Sequence, residues 1–260
     1  MAIEPSTFER VGGVFHDYLA PRRHSALLAS IIIAFAIRPL IANTGASAFA
    51  FGLALVLLLL VAVYNISVDE LIGERGRLVT QSRRRRRLGW VLAAAAALAR
   101  SFVVFLPQSF LMNLASSVCW LLFLLFVTLS QLRSLLKQRE VTGQTICLAI
   151  SVYLLLGLTW TLLYGVMFQL HPDAFGNLPA PTPGHPVDVL GLLPVLGYFS
   201  LTTLSTLGFG DITPLTLQTR YAAVAEGITG QFYMAILVAR LVGLQMSRPA
   251  DQQASSAAAD

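Results

Sequence analysis

Between Arg100 and Arg133 the chain carries no charged residue of either sign. A helix that crosses a bilayer needs about 20 mostly apolar residues. The charge-free stretch therefore holds the end of one span, 88–107, and the whole of another, 109–129, hinged near Pro107-Gln108. Similar apolar stretches occupy 25–42, 46–66, 144–170 and 219–245. Composition agrees, with 56% hydrophobic and 12% charged residues, against about 25% charged in a soluble domain. Neither a soluble globule nor a disordered tail can hide so much apolar surface. The remaining class is an all-α membrane protein with six transmembrane helices.

The scarce charge is arranged. The net charge is +5, and all but one of the 18 basic residues are arginine, Lys137 being the exception. Basic clusters fall before the first span (Arg10, Arg22, Arg23), between the second and third (Arg75, Arg77, Arg83 to Arg87), between the fourth and fifth (Arg133, Lys137, Arg139), and at the end of the sixth (Arg240, Arg248). The opposite loops hold only Arg38 and Arg220. Lys and Arg concentrate on the cytoplasmic side, so the sequence predicts a multi-pass protein of the cell membrane with both termini cytoplasmic. The expected divisions are a tail at 1–24, a four-helix domain at 25–129, a linker at 130–143, a module of helix, loop and helix at 144–246, and a disordered tail at 247–260. The run Arg83–Arg87 anchors this topology and is also a candidate contact for anionic lipid headgroups. No nucleic-acid partner is expected.

One charge-free stretch, 189–210, does not read as a span. It contains Pro194 and ends in Thr, Ser and Gly, which suggests a short re-entrant helix followed by non-helical backbone. Such backbone survives at membrane depth only where protein or a water-filled path satisfies its polar groups. The segment continues as Thr203-Leu204-Ser205-Thr206-Leu207-Gly208-Phe209-Gly210-Asp211. This resembles the filter signature of potassium channels, which commonly reads T-x-T-T-V-G-Y-G-D. The resemblance covers about residues 144–246. It departs at Leu207, where Val is usual, and at Phe209, where Tyr is usual. It implies a pore helix and a selectivity-filter loop between the fifth and sixth spans, four chains around one axis, and passive conduction of K+ with no other cofactor.

The chemistry also follows from the residue types. A dehydrated cation needs several oxygens at once, and inward-pointing backbone carbonyls can replace its water shell. Pointing successive carbonyls the same way requires left-handed backbone at alternate residues, which glycine adopts at little cost. Gly208 and Gly210 have that alternation. The expected ion ligands are the carbonyls of Thr206, Leu207, Gly208 and Phe209, with the Thr206 hydroxyl. Asp211 would stand at the outer mouth and concentrate cations. One chain supplies one wall only, so a homotetramer is required.

In the sixth span the resemblance implies a gating hinge at Gly230, and the alternative is a small residue that permits close packing. Met234, Val238 and Val242 recur at four-residue spacing and share a helix face, either lining an inner cavity or facing lipid. Two ionisable residues lie inside spans, Arg100 and Glu226. They could pair, but the favoured reading has Glu226 support the filter segment by hydrogen bonds. The fourth span, 109–129, holds no Arg or Lys, so opening is expected to be only weakly voltage-dependent.

Other readings are weaker. Gly45-Ala46-Ser47-Ala48 is similar to the nucleophile motif of rhomboid intramembrane serine proteases, but a serine there needs a histidine base in reach. All four His (16, 24, 171 and 185) are expected outside the spans, so no enzyme is expected. Cys119 and Cys147 fall in apolar runs and read as packing residues. The segment 171–190, rich in Pro and Gly, reads as a solvated external loop. A non-selective cation channel of the same fold and a non-conducting subunit remain as rivals.

Overall fold

The structure of the chain, a computed structural model, describes residues 23–40, 54, 57–58, 60–65, 79–105, 109–138, 141–178 and 189–246. The expected N-terminal tail up to residue 22, the start of the second span with Ser47, the hinge at Pro107-Gln108, His185 and the tail at 247–260 lie outside the described residues. So do the side chains of Arg83 to Arg86.

Among the described residues, six helices with given bounds follow one another: α1 (Arg23–Leu40), α2 (Val79–Phe105), α3 (Phe110–Lys137), α4 (Gly143–Leu170), α5 (Val189–Leu204) and α6 (Leu217–Met246). Residues 60–65 are also helical, within the expected second span. Among the described residues, three helical stretches, Phe110–Lys137, Gly143–Leu170 and Leu217–Gly243, are long and apolar enough to cross a bilayer, and the apolar part of α1, Arg23–Ile37, is shorter. The chain is thus a mostly helical multi-pass membrane protein with a further short helix, α5, before α6.

Helix ends follow local chemistry. Ser109 caps α3 by accepting from the Met112 N–H at 3.4 Å. Thr142 and Thr145 form a reciprocal box at the start of α4, each side chain accepting from the other's backbone N–H at 3.3 Å, which satisfies two of the orphan donors there. Two helices outrun the expected spans. α2 begins at Val79, because arginine is a good helix former and nothing between 79 and 88 breaks the helix. α3 continues to Lys137 because Leu132 and Leu135 keep an apolar face on the protein.

α4 is the centre of the bundle and packs against α1, α3, α5 and α6, while α2 packs on α3. One core joins Leu27 and Ile31 of α1, Phe123 and Val127 of α3, and Leu155 and Leu162 of α4. Among lipid tails no water is released by such contact, so close packing holds these helices together. α6 is different. Only 11% of its apolar window is buried, against 50% for α4.

Candidate functional site

α5 ends in a turn that occupies three of its last four carbonyls. The Ser205 N–H donates to Leu201 O and the Thr206 N–H to Thr203 O, both at 3.0 Å. Thr202 O accepts from the N–H groups of Leu207 (2.8 Å) and Gly208 (3.2 Å). Beyond this the chain leaves regular structure, and three alternate residues have positive φ: Thr206 at 61°, Gly208 at 52° and Gly210 at 79°. Glycine explains two of them. Thr206 is a β-branched residue in the left-handed region, which costs about 1–2 kcal/mol and was not foreseen from the motif. Among the described residues the carbonyls of Thr206, Leu207, Gly208 and Phe209 accept no hydrogen bond.

Residues 205–211 all lie on the surface of the single chain. Leu207 is 64% and Phe209 67% exposed. Phe209 lacks a hydroxyl, and its ring instead stacks on Tyr198 of α5, with centroids 6.1 Å apart and planes within 4°. The Tyr198 hydroxyl is on the side of the Asp211 carboxylate, close enough for the two to interact electrostatically. Tyr198 therefore backs the loop at Phe209.

Glu226 of α6 is fully buried. Its Oε2 accepts from the Tyr164 hydroxyl of α4 at 2.6 Å. Its Oε1 lies 2.5 Å from the Ser200 hydroxyl of α5, which also reaches the Gly157 carbonyl oxygen of α4 at 2.7 Å. Three helices meet on one carboxyl. Around it Tyr164, Phe175 and Phe199 pack edge to face, with centroids 5.1–5.6 Å apart.

Arg100 is not among the partners of Glu226. Two hydroxyls satisfy the carboxyl instead, and Arg100 is half-buried on α2. His24, expected outside the spans, lies in the first turn of α1 and is buried. Cys119 and Cys147 are free and half-buried, and Cys119 packs on the main core.

On α6, Gly230 faces the end of α5. A Cβ there would lie 2.1 Å from the Leu204 carbonyl oxygen, so the helices touch only because the residue is glycine. The next residue, Gln231, reaches the Thr206 hydroxyl at 3.5 Å. Met234, Val238 and Val242 are 46–53% exposed in the single chain. Near the other end of α6, Arg240 donates to the carbonyls of Leu135 (2.8 Å), Leu136 (2.7 Å) and Gln138 (2.6 Å), where α3 ends.

Several of these residues left no trace in the sequence pattern. Tyr164 and Ser200 stand on helices other than that of Glu226, the one member of the cluster that the sequence singles out. Arg240 reads simply as a basic residue at a span's end. Asn177, whose side chain donates to the Asp211 carbonyl at 2.8 Å, lies in the segment read as a solvated loop.

Comparison with the curated proteins and with the solved structures finds no match. Residues 196–245, which hold most of α5, the loop with its alternating φ and nearly all of α6, match the family Ion_trans_2, described as ion channel, and not an enzyme family.

Proposed function

We propose that this chain is one subunit of a potassium-selective channel that conducts K+ passively through a homotetrameric pore. The observation that carries the reading is the row of four carbonyls, Thr206 to Phe209, that accept no hydrogen bond among the described residues, on backbone of alternating φ. A cation that leaves its water shell needs such oxygens. The carbonyl end of α5 adds the partial negative charge of a helix C-terminus beneath them, and Asp211 adds a carboxylate beyond them. Gly210 lets the chain leave the filter without a Cβ penalty.

The exposure of residues 205–211 supports assembly. Irregular backbone is tolerated at membrane depth only where protein or a water path covers it. Further copies would cover Leu207 and Phe209 and leave the carbonyls facing the axis. Gly230 acts in this reading as the hinge of the inner helix, and Met234, Val238 and Val242 line the cavity below the filter. Glu226 supports the filter from behind.

The topology proposed with it has six spans and both termini cytoplasmic. The divisions are those expected from the sequence: 1–24, 25–129, 130–143, 144–246 and 247–260. Arg83 to Arg87 contact anionic lipid in this arrangement.

Flux from liposomes holding the purified protein tests the reading. Potassium efflux with little sodium flux is expected, and Gly208→Ala should abolish it, because an added Cβ disfavours positive φ. Equal sodium and potassium flux would favour the non-selective channel. That second reading draws on Phe209, which offers no hydroxyl to fasten the filter.

A further inference from the structure

The segment His171–Leu178 folds back onto the far limb of the pore loop, although its composition suggests a solvated loop. Phe175, Gly176 and Asn177 each contribute differently. Phe175 is buried, with its ring 5.3 Å from Phe199 and 5.6 Å from Tyr164, so the segment is keyed to the helices that meet at Glu226. Phe175 pairs with Pro214 and Gly176 with Thr213 in a two-stranded antiparallel bridge. A Cβ on Gly176 would lie 2.9 Å from the Thr213 hydroxyl oxygen, so glycine lets the strands close. Asn177 takes φ 63°, which Asn tolerates better than most residues. From there its Nδ2 donates to the Asp211 carbonyl oxygen. The Ala174 carbonyl accepts from Leu215 N (2.9 Å) and Thr219 Oγ1 (3.1 Å), which fastens the same segment to the start of α6.

We propose that Asn177 is a positioning residue for conduction, holding the Asp211 carbonyl and through it the Phe209–Gly210 end of the filter. The inference rests on the channel reading above. The filter carbonyls accept no hydrogen bond among the described residues, so their spacing is set by bound ions and by the attachments of the loop, the Tyr198 stack behind Phe209 and the bonds at its ends. The clasp therefore matters most when few ions occupy the filter. At high ion occupancy the ions hold the carbonyls and the clasp is redundant. One neutral hydrogen bond shifts such an equilibrium by about 2- to 10-fold.

Two variants separate the bond from the backbone. Asn177→Asp keeps the size and the tolerance of positive φ but has no N–H to donate. Asn177→Gly keeps the backbone conformation with no side chain at all. Full-length protein in liposomes is assayed for cation flux at low and at high external potassium. At low potassium, both variants are expected to lose flux about 2- to 10-fold faster than wild type. The difference should shrink as external potassium rises. Amide exchange in 208–216, read on the same purified proteins without any flux, should quicken by a similar factor, with α3 unchanged. Variants that match wild type at low potassium overturn the clasp while the channel reading stands. So does a deficit that is the same at every potassium concentration, since that marks general damage. A wild type that carries no cation flux overturns the channel reading, and the clasp with it.

Discussion

The Tyr164 hydroxyl donates to Glu226 Oε2 across 2.6 Å, joining two helices through residues 62 apart in sequence. Glu226 is fully buried, and its bonding partners among the described residues are hydroxyls, from Tyr164 and Ser200. A buried carboxyl demands such partners, so α4, α5 and α6 are fixed in register by one side chain.

Removing one of these donors leaves a buried carboxyl oxygen unsatisfied. Tyr164→Phe and Ser200→Ala should each destabilise the purified protein by about 1–3 kcal/mol in thermal unfolding. Because both hydroxyls serve one carboxyl, the double variant should depart from the sum of the two by at least about 0.5 kcal/mol. Simple additivity would show that they act separately.

Gly230 and Gly243 make an internal comparison on α6. A Cβ at Gly230 would lie 2.1 Å from backbone, while one at Gly243 meets nothing within 4 Å. Gly243→Ala is expected to stabilise α6 by up to about 1 kcal/mol through helix propensity. Gly230→Ala should cost about 1–3 kcal/mol, since α5 and α6 must separate. Equal melting temperatures for the two variants would contradict the close approach. Under the channel reading proposed above, the same contact bears on gating, because a hinge at Gly230 would bend against the end of α5.

What could be read in advance depended on whether one local segment carried the signal. The three long apolar helices were legible because each is a single apolar run, and α4 and α6 begin within two residues of their expected starts. The left-handed glycines at 208 and 210 were legible because a G-x-G is a local pattern. Thr206 was not, since its positive φ comes from how the turn after Leu204 closes. Nor was the partner of Glu226. Burial of an acidic residue in a span signals that a partner exists, and Arg100 offered the opposite charge, but hydroxyls on two other helices lie nearer. Asn177 was hidden for the same reason: its bond spans 34 residues, and its neighbours in sequence are those of an ordinary turn.

The position of basic residues on α3 bears on voltage. Arg133 and Lys137 lie in its last turns and are exposed, and none occurs between 109 and 129. Moving one elementary charge through the membrane field is worth about 2.3 kcal/mol per 100 mV. Without arginines within the span, α3 has little to move. Currents through reconstituted protein should therefore change open probability only shallowly with voltage. A steep conductance–voltage curve that implies several gating charges would rule this out.

Arg240 joins the far end of α6 to α3. Its guanidinium donates to the carbonyls of Leu135, Leu136 and Gln138, all within 2.8 Å. These carbonyls lie at a helix C-terminus and carry its partial negative charge, and Leu135 O also accepts from the Gln138 N–H at 3.2 Å. Arg240→Ala should free the end of α3 at a cost of about 2 kcal/mol. That corresponds to roughly 30-fold faster amide exchange around 133–142. Arg240→Lys should fall between, because an ammonium cannot span the carbonyls as a planar fork does. The link also predicts a functional readout. If α3 restrains the inner helix through this one side chain, Arg240→Ala should alter open probability while leaving the potassium-to-sodium flux ratio unchanged, since the filter is fastened elsewhere. A shift in that ratio, or exchange around 133–142 at the wild-type rate, would exclude a role confined to this joint.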